Sequence, residues 1–222
     1  MEIVKADVII SGWSGKMGQA LRALLPQHFS GKVVDANELD RYSLSSSKVW
    51  IDFSHASAFD KWIALIAQLQ CPLVMGTTGL NEQQLRQLQD LSEGQPVLYD
   101  ANFSEGIHIV RQILKSLPDV SAFDCQILEV HHKSKKDSPS GTANVLMKDL
   151  SDKTQQSVPI LSVRAGGIRG EHTIVLAGNN EQITLKHEVW DRSVFAEGAL
   201  KAAQWLLQQS HGFFNFNSVL QS

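Results

Sequence analysis

Asp7-Val-Ile-Ile-Ser-Gly-Trp-Ser-Gly-Lys-Met-Gly18 decides how this chain folds. Asp7-Val-Ile-Ile10 is a short apolar run with β-branched residues, which favour strands. Glycines at 12, 15 and 18 follow, then a helical stretch to about Leu25, ended by Pro26. The GxxGxxG spacing is a variant of the fingerprint in which a strand turns sharply into a helix. Gly12 opens the turn, and Gly15 lets backbone approach a pyrophosphate seated on the helix N-terminus. Gly12, Trp13, Ser14, Gly15, Lys16 and Met17 are therefore candidate cofactor contacts. A second strand, Lys32-Val-Val-Asp35, ends in an acid 17 positions beyond Gly18. Such folds place there the carboxylate that holds ribose hydroxyls, so Asp35 joins the set. A glycine-rich turn alone is commonly just a turn. The series of strand, glycine turn, helix, strand and acid is what points to a dinucleotide site.

The alternation continues. Val49–Phe53 reads as a strand and Ser57–Gln70 as a helix with Trp62, Leu65, Ile66 and Leu69 on one stripe. Leu73–Met75 is a strand ending in Gly76-Thr-Thr-Gly79; Asn81–Leu91 is a helix with an Asn cap and Gln84 in the capping-box position. Val97–Tyr99 is a strand ending in Asp100-Ala-Asn-Phe103. Strands alternating with helices form a parallel sheet, whose ligands bind beyond the carboxyl ends of the strands. Gly76, Thr77, Thr78, Asp100, Ala101, Asn102 and Phe103 lie at such ends and are further cofactor candidates.

From Ser104 the pattern changes. Helix Ser104–Leu117 leads to strand Asp124–His131 and a helix after Ser140; strands at 161–166, 172–177 and 182–189 then follow without helices between them. Helix Phe195–Gln209, with Ala199, Ala202, Ala203 and Leu206, returns to the first domain. The expectation is an α/β chain: a Rossmann-like dinucleotide-binding domain from residues 1–101 and 196–222, and a smaller α+β domain, 102–195, with an open mixed sheet. The two would close as lobes around the active site.

Glu129-Val-His-His-Lys-Ser-Lys-Lys-Asp-Ser-Pro-Ser-Gly-Thr-Ala143 is the most chemically loaded stretch. It holds two adjacent imidazoles, three ammonium groups and a Ser-Gly-Thr turn that opens a helix. Ser140 is a plausible N-cap, and Pro139 discourages an earlier helical start. A lysine-rich segment is commonly a solvated loop. Two histidines at a strand end, however, point to opposite faces, so one of them faces a loop or cleft. Imidazole is the side chain best suited to proton transfer near neutral pH. Beside lysines and a helix N-terminus it makes a cradle for a small anion next to a proton donor.

Composition sets the remaining bounds. A net charge of −3 argues against nucleic acid or an anionic membrane surface as the main partner. Cys71 and Cys125 lack metal-ligand spacing and read as reduced core residues, so no metal is expected. The apolar run near the start is only Val8–Ile10, and no stretch is long enough to span a membrane, which fits a cytoplasmic protein.

Taken in order, Gly12-Trp-Ser-Gly-Lys-Met-Gly18, Ile51-Asp-Phe53, Gly76-Thr-Thr-Gly79, Ala101-Asn-Phe-Ser104, Glu129-Val-His-His with Lys135-Lys-Asp-Ser-Pro-Ser-Gly-Thr-Ala143, Arg164–His172 and Lys186–Gly198 closely resemble the 4-hydroxy-tetrahydrodipicolinate reductase family, also called dihydrodipicolinate reductases. The resemblance runs from about residue 7 to 209. Only 13 residues separate Asp35 from Val49, which marks a compact member. The resemblance implies NAD(P)H-dependent reduction of a small heterocyclic dicarboxylate to tetrahydrodipicolinate, on the diaminopimelate route to lysine. It implies His131 as the general acid, Lys135 as proton donor or carboxylate partner, and His132, Ser140, Gly141 and Thr142 as substrate contacts. It also implies a homotetramer. Asp35 favours NADH over NADPH, although Lys16 and Arg41 could approach a 2′-phosphate. Two alternatives stay open: another NAD(P)H-dependent reductase of a small dicarboxylate, and a non-catalytic nucleotide-sensing module.

Overall fold

A computed structural model describes residues 3–221 of the chain. It divides into two compact units, one made of the chain up to Phe103 together with the stretch from Ser193, the other of Ser104–Arg192.

The first unit is built on six parallel strands. β1 (Asp7–Ser11), β2 (Val33–Asp35), β3 (Lys48–Asp52), β4 (Leu73–Met75), β5 (Pro96–Tyr99) and a late strand β10 (Gly212–Phe214) lie in the order β10-β5-β4-β3-β1-β2. Helices cover both faces, which is why β1 is buried along its whole length and reads as continuous hydrophobic sequence. Period-2 alternation divides its side chains. Val8 and Ile10 join Ile51, Val74 and Leu98 under α1 (Lys16–Leu24) and α6 (Ser193–Leu206), whose Ala199, Ala202, Ala203 and Leu206 are fully buried. Ile9 joins Trp50, Leu73 and Val97 under α2 (Phe59–Leu69) and α3 (Glu82–Leu91). Because every strand runs the same way, all the carboxyl-end loops open on one edge of the sheet.

Local chemistry sets the boundaries. Asn81 and Gln84 form the expected capping box of α3, with Asn81 Oδ1 accepting from the Gln84 N–H at 2.9 Å and Gln84 Oε1 accepting from the Asn81 N–H at 3.0 Å. Helix α2 starts at Phe59 rather than Ser57, because Ala56–Ala58 wind as a 3₁₀ turn. Strand β10 and the short helix α7 (Phe216–Leu220) have no counterpart in the sequence reading. Three residues, Gly-Phe-Phe, are too few to show a period.

The second unit holds a four-stranded sheet, β6 (Asp124–His131), β7 (Ile160–Arg164), β8 (Glu171–Ala177) and β9 (Gln182–Glu188), in the order β7-β6-β8-β9. β6 and β7 are parallel and the other pairs antiparallel, so the sheet is mixed as expected. Helices α4 (Glu105–Ser116) and α5 (Gly141–Thr154) cover one face, packing Ile107, Leu114, Leu146 and Leu150 on Ile127, Ile174 and Leu176. The strand register lays Ser162, Glu129, His172 and His187 in one row across the four strands. Glu129 and His172 are buried. Ser104 caps α4 and Ser140 caps α5, and each cap hydroxyl lies 3.2 Å from Nε2 of a histidine in that row, His187 and His172 respectively.

Candidate active site

In the first unit a cleft of about 410 Å³ opens at the carboxyl edge of the sheet, lined by Gly12, Ser14–Met17, Phe53–His55 and Gly76–Thr78. Its floor is backbone. Gly12 has φ +83°, and a Cβ there would fall 2.2 Å from the Phe53 carbonyl oxygen, so only glycine fits. A Cβ on Gly18 would meet the Gly12 carbonyl at 2.4 Å, which is how α1 can start against the turn. No side chain caps α1 at Gly15, and its first turn contains no acid. Its leading N–H groups and the positive end of its dipole therefore suit an anion. The residues fit a dinucleotide's pyrophosphate, with Lys16 adding a cation at the same place.

Asp52, at the end of β3, ties the cleft together. Its buried carboxylate accepts from the Ser11 hydroxyl at 2.7 Å, from the Ser54 N–H and hydroxyl at 2.8 Å each, and from the Thr77 hydroxyl at 2.5 Å. Thr77 is thus a lining residue whose hydroxyl is engaged inward, while Thr78 is exposed.

The remaining cofactor candidates lie outside that lining. Asp35 ends β2 and accepts from the Asn37 N–H at 2.9 Å and its side-chain amide at 3.1 Å. Arg41 pairs with Glu38 at 2.7 Å, whereas Lys61, unnoticed in the sequence, reaches Asn37 Oδ1 at 2.8 Å. Arg22 stacks over the Trp13 ring at 4.5 Å. Asp100 accepts from the backbone N–H groups of Asn102 and Phe216, both at 3.1 Å, so its charge anchors the start of α7. Ala101 is exposed and Asn102 half-buried. The Phe103 ring lies in the core between Phe53 and Phe216, at 5.4 and 5.5 Å, which leaves only its backbone for a ligand.

In the second unit His131 and His132 do part company. His131 is 8% exposed on the helix-covered face, while His132 is half-buried with its Nδ1 2.9 Å from the Ser134 hydroxyl. Glu129, two residues before His131 on the same face, is fully buried and hydrogen-bonds His131 Nδ1. Arg164 grips that carboxylate with two nitrogens, at 2.9 and 2.7 Å, and the Ser140 N–H donates to it at 3.3 Å. Burial alone would raise the Glu129 carboxyl, but Arg164 and His131 overcome it and bring it down to about 2. Burial lowers His131, Glu129 pulls it back up, and Lys135 and Arg164 push it down again. His172 packs edge-on to the His131 ring at 5.2 Å, and burial with positive neighbours holds it down at about 3, so it stays neutral. Lys135 is half-buried and pairs with Asp137 at 2.9 Å; Gly141 is exposed and Thr142 half-buried in the first turn of α5. Glu129 and His172 thus bring His131 and Ser140 together. Glu129, Arg164 and His172 went unassigned in the sequence, although the i, i+2 spacing of Glu129 and His131 on one strand was readable there.

Residues 106–220 match the family model described as dihydrodipicolinate reductase, C-terminus, and residues 27–103 match its N-terminus counterpart. The chain belongs to the dihydrodipicolinate reductase family. A 4-hydroxy-tetrahydrodipicolinate reductase from Bdellovibrio bacteriovorus is 33% identical over 97% of this chain and 96% of its own. The enzyme of that name from Thermosipho africanus is 36% identical, covering 96% of each. A dipicolinate-bound dihydrodipicolinate reductase from Paenisporosarcina sp. TG-14 superposes with a TM-score of 0.75 over 96% of this chain and 98% of its own, at 22% identity, and so shares the fold. Family members are NAD(P)H-dependent oxidoreductases. Among the described residues no helix is long and apolar enough to cross a membrane.

Proposed function

We propose that this chain carries out the reduction its family is named for, converting 4-hydroxy-tetrahydrodipicolinate to tetrahydrodipicolinate in the cytoplasm, with His131 as proton donor. The observation that carries the reading is the placement of His131, an imidazole contacted by Glu129 and His172, both of which also contact Ser140 at the α5 N-terminus. When bound in the first unit, the nicotinamide supplies the hydride. Gly12, Ser14, Gly15, Lys16, Met17, Gly76, Thr77 and Thr78 line its pyrophosphate cleft, Trp13 and Ala101–Phe103 flank it, and Asp35 holds the ribose. In the second unit Lys135 and the Gly141 and Thr142 start of α5 hold substrate carboxylates, His132 adds a contact, and His131 protonates the ring, whose 4-hydroxyl leaves as water.

Asp35 also supports a preference for NADH, since a 2′-phosphate beside it would meet a like charge. A homotetramer is supported by the outer face of the mixed sheet. Leu128 and Val130 of β6, Leu161 and Val163 of β7 and Val175 of β8 alternate away from the helices, and Leu161 is 54% exposed. Partner sheets would cover this strip.

The test is oxidation of NADH and NADPH followed by absorbance, with substrate generated in situ from pyruvate and aspartate semialdehyde by the preceding synthase. Oxidation that depends on the synthase product, is faster with NADH, and falls on the order of 10²-fold in His131→Gln is the expected result. Protein that binds NADH but never oxidises it would instead be a nucleotide sensor. Light scattering on wild type and Leu161→Asp checks the tetramer.

A further inference from the structure

We infer that Glu129, anchored by Arg164, is the positioning residue that fixes the His131 imidazole with its proton on Nδ1 and its Nε2 turned to the substrate. The inference rests on His131 being the proton donor.

A carboxylate with no exposed surface is retained only where charge and hydrogen bonds compensate for lost water. Arg164 supplies both. Its guanidinium meets Glu129 Oε1 and Oε2 in the two-pronged geometry that suits a carboxylate, and it donates a further bond to the Asp137 carbonyl at 2.5 Å. Strand β6, strand β7 and the 132–139 loop are thereby joined at one buried charge. An arginine–glutamate pair needs no histidine to complete it. Yet Glu129 Oε2, already bonded to Arg164, is also the atom that meets His131 Nδ1. An ionised carboxylate can only accept, so Nδ1 must carry hydrogen in the neutral imidazole and the imidazolium alike.

Gly170 faces the His131 ring, and a Cβ there would stand 3.2 Å from His131 Nε2. Glycine leaves that nitrogen room for a reacting atom. The groups around His131 are Glu129 on its own strand, Arg164 from β7, neutral His172 from β8, Lys135 from the following loop and the uncharged Ser140 at the start of α5. Glu129 is the one anion among them. The substrate ring, once its 4-hydroxyl has left as water, accepts the hydride and the imidazolium proton from Nε2; the electron pair stays on Nε2, and the Nδ1–H remains bound to Glu129 throughout. Glu129 itself neither gains nor loses a proton, in keeping with its depressed carboxyl.

The measurement that addresses this directly is ¹⁵N NMR of histidine-labelled wild type, which needs no substitution. The expected spectrum shows His131 as the Nδ1–H tautomer above its titration. An Nε2–H tautomer would overturn the inference. The second arm is Glu129→Gln, compared with His131→Gln. Glutamine keeps the shape, removes the anion and can offer an N–H that turns the imidazole to the wrong tautomer. The expected result is a fall in kcat of roughly 10- to 100-fold with substrate KM changed less than about threefold. Because protonated His131 is the active form and loses its stabilising anion, the pH above which kcat/KM declines should also move down by about one unit. A Glu129→Gln enzyme with an unmoved pH profile and unchanged tautomer, beside an inactive His131→Gln, overturns the inference while leaving the donor assignment standing. An active His131→Gln overturns both.

Discussion

The starts of α1 and α5 are two answers to the same electrostatic problem. Both helices present a positive N-terminus, and on the proposed function each receives an anion. The α1 start is bare: Gly15 offers no capping side chain, no acid sits in the first turn, and the turn before it is glycine with φ +83° at Gly12. The α5 start is furnished. Ser140 caps it, Glu129 accepts from the Ser140 N–H, and His172 meets the Ser140 hydroxyl. A pyrophosphate is gripped through backbone and needs space, so side chains are cleared away. A substrate that must be protonated needs an acid in fixed orientation, so side chains are wired together. The difference between the two helix starts is one between recognising and reacting.

The largest effect should come from putting a side chain into the bare start. Gly12→Ala combines a left-handed φ with a Cβ 2.2 Å from the Phe53 carbonyl, and a loss of about 3 kcal/mol or more in urea unfolding is expected. Gly15→Asp sharpens the comparison further, because it converts α1 to the α5 style. Its backbone is extended at φ −70° and a Cβ meets nothing nearer than 3.2 Å, so the fold should accept the new cap. Unchanged or raised thermal stability with an NADH dissociation constant weakened on the order of 10²-fold, by isothermal titration, is the expected outcome. Tight NADH binding by Gly15→Asp would show that the bare helix start is not what holds the cofactor.

On the furnished side, the buried histidine makes a pH prediction. His172 falls from the usual histidine range to about 3 in the folded chain, burial being the main cause. The unfolded chain therefore binds one more proton between about pH 6.5 and 3, so stability declines as pH falls through that window. The slope should reach about 1.4 kcal/mol per pH unit for this group. Urea midpoints at pH 7.5 and 5 should show the decline, and His172→Gln should flatten it. Glu129 acts in the same direction but lower, losing its contribution as pH drops from the ordinary carboxylate range toward 2. The smallest effect belongs to Ser140→Ala, which removes one cap and the hydroxyl beside His172 at a cost of about 1 kcal/mol by thermal melting.

The fold of the bare region was legible in the sequence, because strand, glycine turn, helix, strand and acid follow one another in series. The furnished region was legible in part. Ser140 as a cap and the separate fates of His131 and His132 followed from local rules. Arg164 and His172 did not, since each reaches Glu129 or His131 only through strand register, and register across β6, β7 and β8 is set by tertiary pairing. Glu129 stands between these cases. The alternation that separates His131 from His132 also places Glu129 on the same face as His131. Thr77, Asp100 and Phe103 show the converse limit. Position at a strand end marks them as cofactor candidates, and Thr77 lines the cleft while Asp100 and Phe103 lie outside its lining; the engagement of the Thr77 hydroxyl by Asp52, of Asp100 by α7 and of the Phe103 ring by the core depends on distant residues.

The late arrival of α6 and β10 has a consequence for how the protein is born. The first unit's sheet reads as a contiguous early segment, yet its core includes Ala199, Ala202, Ala203 and Leu206, and the edge of β5 is covered by Gly212–Phe214. During synthesis the mixed sheet emerges from the ribosome ahead of those residues. The inserted unit can therefore close on itself first, while β1 to β5 wait with an exposed flank for the helix that completes them. A chain whose emerged part ends just short of Ser193 would hold a finished second unit and an unfinished first one, and it is there that a chaperone would find something to hold.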